Sequence, residues 1–457
     1  MRHEHCKVLV IGAGPGGYVC ALRSAQAGMD TVVVEAVAPG GTCLNVGCIP
    51  SKALIHAADT FHTATQIAVD NPLGIRSTAP RIDLAQTMAW KDGIVARLTG
   101  GVSGLLAKAK VRLVQGRAQI LDGKSVEVVT AEGPVRISTE HLVIATGSRP
   151  VELPGLPFGG DVLSSTDALA LTAVPERLAV VGGGYIGLEI GTALAKLGAR
   201  VTVVEAGPRV LPQYDAELTR PVAARLKTLG VEVLTGACAT GYAAGVLAVD
   251  TAEGAREVVA DKVLVTVGRM PATQSFGLET LGLTMDGPFI AIDKRCRTSM
   301  RAVYAIGDVT GEPMLAHRAM AQGELAAAVI AGGREEWDKR AIPAVCYTDP
   351  EIVTVGLLAA AAKGAAVATF PFVGNGRALS LGRDDGFVRV VHDRDSGLIL
   401  GLQAVGAGVA ELAGEFALAL EMAATLTDIA ATIHAHPTLG ETVQEAALKG
   451  LGRALHL

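Results

Sequence analysis

Two stretches of the chain repeat one pattern, and that repeat constrains the fold more than any other feature. The first reads KVLVIGAGPGGYVCALRSAQAGMDTVVVE from Lys7. Lys7 to Ile11 is a short apolar run suited to a buried parallel strand. Gly12, Gly14 and Gly17 follow as GxGxxG. Ala21, Leu22 and Ala25 line one helical face, and Gly28 stops the helix. Thr31 to Val34 form a second strand that ends in Glu35. Gly12 makes the tight turn, Gly14 lets a pyrophosphate approach the backbone, and Gly17 lets the helix sit on the strand. The helix N-terminus offers free N–H groups to phosphate, and Glu35 is placed to accept hydrogen bonds from a ribose.

The second copy, AVVGGGYIGLEIGTALAKLGARVTVVE, repeats the glycines as Gly182, Gly184 and Gly187 and closes on Glu205. In both copies the acidic residue lies 23 positions after the first glycine (12 to 35, 182 to 205). One GxGxxG is a weak signal. Two in the same strand–helix–strand context predict two dinucleotide-binding units. A carboxylate at Glu205 binds a free 2′-hydroxyl and repels a 2′-phosphate, which favours NAD over NADP. Arg209 lies close by, and it is expected to be a solvated loop cation.

Between the two copies sits GGTCLNVGCIPSK, with Cys43 and Cys48 five positions apart. This is not zinc-ligand spacing, no second pair completes a four-ligand site, and no metal is expected. On an ideal helix, residues five apart rise about 7.5 Å, whereas a disulfide wants its Cα atoms within about 7 Å. If the two pair, the helix must be distorted between them, and Gly47 is the residue that allows it. Gly40 and Gly41 are read as a flexible entry, and Pro50 suits a helix being re-entered. A strained, accessible disulfide is labile, which suits catalysis. The alternative is a pair of free cysteines acting as small hydrophobes.

Composition excludes several classes. At 50% hydrophobic and 19% charged residues, the chain has the balance of a globular protein with a large core. Its net charge of -5 and lack of a basic run argue against a nucleic-acid partner. The longest apolar stretches, such as Val353 to Ala362, stay well short of the roughly 18 residues of a spanning helix. The N-terminus enters a strand-like run with no cleavage signal, so a cytoplasmic location is expected, with its thiols mostly free.

These residues carry a family resemblance. GGTCLNVGCIPSK, both fingerprints, VIATGSRP at Val143 to Pro150, AIGDV at Ala305 to Val309 and HAHPTLGE at His434 to Glu441 resemble the pyridine nucleotide–disulfide oxidoreductases, in the right order and over essentially the whole chain. Within them the chain is similar to the dihydrolipoyl dehydrogenases of 2-oxo acid dehydrogenase complexes. AWKDGIVARLT from Ala89 and AHRAMAQGE from Ala316 look closest to forms serving branched-chain 2-oxo acids.

The resemblance implies an α/β fold with two Rossmann-like, glutathione reductase-like units and a C-terminal α+β dimerisation domain. It implies FAD and NAD as cofactors, and oxidation of protein-bound dihydrolipoyl groups. Cys48 would lie against the flavin as a charge-transfer thiolate, and Cys43 would exchange with the lipoyl group. Lys52 would sit near the flavin, paired with Glu189. Tyr185 would cover the nicotinamide pocket, and Asp308 would bond the ribityl–phosphate part of FAD. Thr146, Gly147, Ala316 and Gly268, in the matching motifs, would also line cofactor sites. His436 would be the acid–base, oriented by Glu441, and would reach the cysteine pair of the other subunit in a homodimer. The lipoyl domain of an acyltransferase would be the partner.

From the residues alone, a histidine near neutrality is the natural proton acceptor for thiol exchange, and a carboxylate beyond Pro437 can fix its tautomer. His434 is expected to be structural. Gly440 departs from the family, where many members carry a larger residue, and could loosen the loop.

Four parts are expected. Residues 1–147 form a first FAD segment, with a helix over roughly 82–109 and a strand-rich piece over 111–139. Residues 148–268 form the NAD domain, bounded by Pro150, Pro154, Pro157 and VGRMP. Residues 269–339 resume the FAD domain, and 340–457 form the interface domain, where Cys346 is read as core. Three alternatives remain: a glutathione-type NADPH enzyme, which Glu205 opposes; a mercuric reductase, which would carry a C-terminal cysteine pair; and a docking flavoprotein with little turnover.

Overall fold

Val8, Leu9, Val10 and Ile11 are all buried, so this strand faces apolar neighbours on both sides. Val8 and Val10 pack towards Cys20 and Ala21 of the following helix, while Leu9 and Ile11 pack towards Val32, Val34 and Ile144. Strand alternation sends successive side chains to opposite faces, and a sheet covered on both faces needs the continuous apolar run seen here. The computed structural model describes residues 2–69 and 71–456.

The first sheet runs in the spatial order Arg112–Gln115, Thr31–Glu35, Arg2–Ile11, Gly133–Ile144, Ser125–Thr130, Arg117–Asp122. Its first four strands are parallel, and Val303–Ala305 joins Gly133–Ile144, also in parallel. The last two strands form an antiparallel arm on the other half of Gly133–Ile144. Helix Pro15–Gln26 crosses helix Ala316–Ile330 on this sheet. The crossing is close: a Cβ on Gly323 would lie 2.4 Å from the Gly16 carbonyl oxygen. The predicted helix near 82–109 is Leu84–Lys108, capped by Asp83.

The second sheet is all parallel, in the order Glu232–Thr235, Arg200–Glu205, Arg177–Val181, Lys262–Val265, Val162–Leu163. The chain enters and leaves it side by side, because Ser148–Pro150 pairs antiparallel with Arg269–Pro271. The third sheet, from Ala344–Cys346 to Ile399–Gly406, is antiparallel throughout. Helix Glu441–Gly450 buries Val443, Ala446 and Ala447 in the core beneath it.

Two ionic joints hold the second sheet's helices to this last module. Asp349 accepts from Lys196 (2.7 Å), Arg225 (3.0 Å) and Arg383 (2.6 Å). Arg389, 1% exposed, pairs with Asp215 and with Glu217 at the start of helix Ala216–Thr228. Buried charges are tolerable only when paired in this way. Among the described residues, no helix is long and apolar enough to cross a membrane.

Candidate active site

The two glycine turns have the geometry that their spacing requires. Gly12 has φ +99°, and a Cβ there would lie 2.4 Å from the Ala145 carbonyl oxygen; a Cβ on Gly17 would lie 1.9 Å from the Gly12 carbonyl oxygen. Gly182 (φ +100°) and Gly187 repeat both constraints. By contrast, Gly14 has nothing closer than 3.9 Å and Gly184 nothing within 4 Å, which leaves both helix starts open to a phosphate. Gly147 and Gly268 also have positive φ.

The carboxylates at the strand ends do more than await a ribose. Glu35 accepts the backbone N–H groups of Ala13 (2.8 Å) and Val37 (2.9 Å). Glu205 likewise accepts those of Gly183 (2.7 Å) and Gly207 (2.6 Å). Each carboxylate ties its glycine turn to its strand and keeps lone pairs for a ligand. Arg209 is not the free cation expected. It is half-buried and donates to the carbonyls of Tyr214 (2.7 Å) and Pro212 (3.2 Å), which turns it onto its own loop.

A cleft of about 540 Å³ runs from the first glycine turn to the cysteine pair. It is lined by Gly12, Gly14, Gly17, Glu35, Cys43, Cys48, Lys52, Thr146, Gly147, Tyr185, Glu189, Asp308 and Ala316. Gly40 and Gly41 sit at its entry. They are tightly fitted rather than flexible: both have positive φ, and a Cβ on Gly41 would lie 2.6 Å from the Gly14 Cα. Helix Gly41–Val46 ends at Gly47, and a new helix, Cys48–Ile67, starts directly after it. A Cβ on Gly47 would lie 2.9 Å from the Thr42 carbonyl oxygen, so glycine permits the break.

The two cysteines are free thiols that share the cleft, close enough for each to bear on the other's ionisation. A Cys43 thiol donating to a Cys48 thiolate holds Cys48 down at about 7, helped by Lys52 and opposed by burial. The same bond, with burial, pushes Cys43 up. Of the two, Cys48 is therefore the thiol more readily ionised.

Lys52 and Glu189 meet from different sheets. Lys52 Nζ lies 2.8 Å from Glu189 Oε2, and Glu189 is 4% exposed on helix Tyr185–Lys196. The backbone N–H of Tyr347 donates to Glu189 Oε1 (2.9 Å), and the Tyr347 ring lies under Lys52 Nζ, 4.3 Å from its centroid. Tyr347 was not singled out from the sequence, although CYTDPEIVTVG marks its segment. Ser148 and Arg269 were missed in the same way. Ser148 Oγ donates to Asp308 and accepts from Arg269 Nε (2.8 Å), and both missed residues line the cleft. Their motifs, VIATGSRP and VGRMP, were the available signal. Thr146 Oγ1 is taken by the Ala272 carbonyl (2.7 Å).

His436 and Glu441 do not line this cleft. They form their own pair in the C-terminal module, with His436 Nδ1 and Glu441 Oε1 2.8 Å apart and the imidazole 80% exposed. Glu441 Oε2 accepts the Thr438 N–H (2.8 Å). Glu441 thus engages Nδ1 and leaves Nε2 as the nitrogen able to take a proton. His434 is buried against Glu415 and the Thr432 carbonyl, a structural placement. Gly440 has ordinary helical angles (φ -58°, ψ -30°), and nothing in its surroundings demands a glycine. Cys346 is fully buried. Among the described residues, no three His, Cys, Asp or Glu side chains form a metal-binding group.

Comparison with known proteins agrees with this geometry. The family model for pyridine nucleotide-disulphide oxidoreductases matches residues 6–323, and the dimerisation domain of the same family matches 342–447. The chain is 59% identical to a dihydrolipoyl dehydrogenase of Pseudomonas aeruginosa, covering 98% of each chain. It is 45% identical to one of Geobacillus stearothermophilus, covering 99% of this chain and 97% of the other. Among solved structures it superposes on LpdA of Mycobacterium tuberculosis with a TM-score of 0.89 at 28% identity, over 97% of this chain and 99% of that one. It superposes on the HOCl-induced flavoprotein disulfide reductase RclA of Escherichia coli with a TM-score of 0.85 at 25% identity, over 96% and 98%. With two cysteines opening into the cleft beside the first glycine turn, and both family models matched, the chain belongs to the pyridine nucleotide-disulphide oxidoreductases.

Proposed function

We propose that this chain oxidises dihydrolipoyl groups to the cyclic disulfide and reduces NAD, as the flavoprotein of a 2-oxo acid dehydrogenase complex. One observation carries the reading: Cys43 and Cys48 open together into the same cleft as the first glycine turn. FAD and NAD are the cofactors. Gly12, Gly14, Gly17, Glu35, Thr146, Gly147, Asp308 and Ala316 would hold FAD. Gly182, Gly184, Gly187, Glu205 and Gly268 would hold NAD, with Tyr185 over the nicotinamide pocket. The cradles fit both groups, since Gly14 and Gly184 leave open space at the two helix starts where a pyrophosphate is needed, while Gly12, Gly17, Gly182 and Gly187 have none. FAD bound in the cleft supplies a two-electron relay between the cysteine pair and NAD.

The protein's own residues carry the sulfur chemistry. In the oxidised pair, a substrate thiolate attacks Cys43 Sγ, forming a mixed disulfide and releasing Cys48 as a thiolate. Lys52, held by Glu189, stabilises that charge. The second substrate thiol gives its proton to histidine and attacks the mixed disulfide. The cyclic disulfide leaves, and Cys43 departs as a thiolate. The net change is dihydrolipoyl plus NAD⁺ giving lipoyl, NADH and a proton.

The acid–base is the partner subunit's His436, oriented by the partner's Glu441. Within one chain neither residue lines the cleft, and the matched dimerisation domain supports a homodimer. Glu205 favours NAD over NADP, and Arg209 donates through Nη2 to two carbonyls of its own loop. Docking on an acyltransferase lipoyl domain, service to a branched-chain complex and a cytoplasmic location belong to this same reading. The test is steady-state turnover of free dihydrolipoamide with NAD or NADP, beside glutathione disulfide with NADPH. A clear preference for the first pair supports the proposal, and a preference for the last defeats it.

A further inference from the structure

Lys52 lines the cleft with the cysteine pair, and its own surroundings come from three separate layers of the fold. Its helix follows the first glycine turn, its carboxylate partner Glu189 lies on the helix of the second, and the ring beneath it belongs to the C-terminal module. Tyr347 makes two different contacts. Its backbone N–H fills Glu189 Oε1, so Glu189 presents Oε2 to Lys52. Its ring face lies 4.3 Å below the ammonium, where an aromatic quadrupole attracts a cation. An ammonium has three donors. With one spent on Glu189 and its charge drawn to the ring, the side chain is restrained at two points. A lysine stem is otherwise flexible, with four rotatable carbons.

We infer that Tyr347 is a positioning residue for the redox pair: its ring fixes the Lys52 ammonium where it favours the Cys48 thiolate, and so couples the C-terminal module to the cysteine chemistry. The inference rests on the proposed disulfide-exchange reading and adds a residue to it. The backbone contact does not depend on the side chain, so non-proline variants at this position isolate the ring.

The experiment uses FAD-loaded protein in a Cys43→Ser background, comparing Tyr347, Y347F and Y347L. Alkylation of Cys48 by iodoacetamide, read by mass spectrometry against pH, reports the thiolate, and the long-wavelength thiolate–flavin absorbance gives a second reading. Y347F keeps a ring and is expected to titrate with the parent. Y347L loses it and is expected to raise the Cys48 midpoint by about 0.5–1 unit, roughly three- to tenfold less thiolate below the midpoint. If Y347L fails to retain FAD, Y347M, also flexible and without a ring, replaces it. Equal titration of parent and Y347L, or an equal shift in Y347F and Y347L, overturns the inference. A parent whose Cys48 titrates as an ordinary cysteine overturns the proposed function as well, so the two failures are distinct.

Discussion

Replacing Cys43 by alanine removes the largest influence holding Cys48 low, the hydrogen bond that a Cys43 thiol donates to a Cys48 thiolate. A hydrogen bond to a charged group contributes about 1.5–3 kcal/mol, which at about 1.36 kcal/mol per unit is roughly one to two pKa units. Cys48 sits at about 7, so in C43A it should titrate between about 8 and 9. At pH 7.5 the thiolate fraction then falls from roughly three quarters to roughly a tenth for a midpoint near 8.5. Serine at position 43 keeps a donor, so C43S should stay close to 7. The assay is alkylation of Cys48 in FAD-loaded C43A and C43S between pH 5.5 and 10, with the labelled peptide quantified. If both variants titrate together near 7, the inter-thiol bond is not what sets the thiolate, and Lys52 alone would have to do so.

Three further expectations follow from the same geometry. Glu441→Gln keeps the shape of the His436 contact but loses its charge; kcat for dihydrolipoamide should fall on the order of 10–100-fold with little change in KM, and unchanged turnover would show that Glu441 does not orient the base. Burial alone would raise Asp349, but Lys196, Arg383 and Arg225 hold its carboxyl well below the usual range. Its stabilising contribution is therefore complete above the unfolded carboxylate value near 4 and is lost as pH falls through the depressed folded value. D349N leaves Arg225 without a carboxylate, while Lys196 keeps Asp59 and Arg383 keeps Asp385; it should destabilise by about 1.5–3 kcal/mol at pH 7, and thermal unfolding should show that gap closing in acid. Gly440→Ala should leave turnover within about twofold and raise stability slightly, by about 0.4–1 kcal/mol, because a Cβ there meets only His434 and Thr438 at 3.5 Å.

Much of the fold was legible because its constraints are local. Gly12 and Gly182 need positive φ, and each is followed five positions later by a glycine with no room for a side chain; a six-residue sequence window holds that information. Gly47 was legible for a similar reason, since two cysteines five apart cannot approach on an unbroken helix. Lys52 and Glu189 lie 137 positions apart, and only the family pattern joined them. Tyr347 escaped because its part depends on a backbone N–H and a ring face meeting two distant side chains, which no spacing encodes. Arg209 was misjudged on the general exposure of arginines, whereas its loop offers it two carbonyls. Gly40 and Gly41 were read as flexible because glycine permits motion, but here it permits close contact, of Gly41 with Gly14 and of Gly40 with Leu44. The His436–Glu441 pair was legible as a unit, yet its distance from the cleft follows from tertiary placement alone.

The central claim is that electrons from a dithiol pass through Cys43 and Cys48 to NAD, and anaerobic titration of the FAD-loaded protein tests it most directly. Dihydrolipoamide should raise a long-wavelength thiolate–flavin band, and added NAD should discharge it with NADH appearing. A flavin spectrum that dihydrolipoamide leaves unchanged, in protein that NADPH and another disulfide do cycle, would contradict the account.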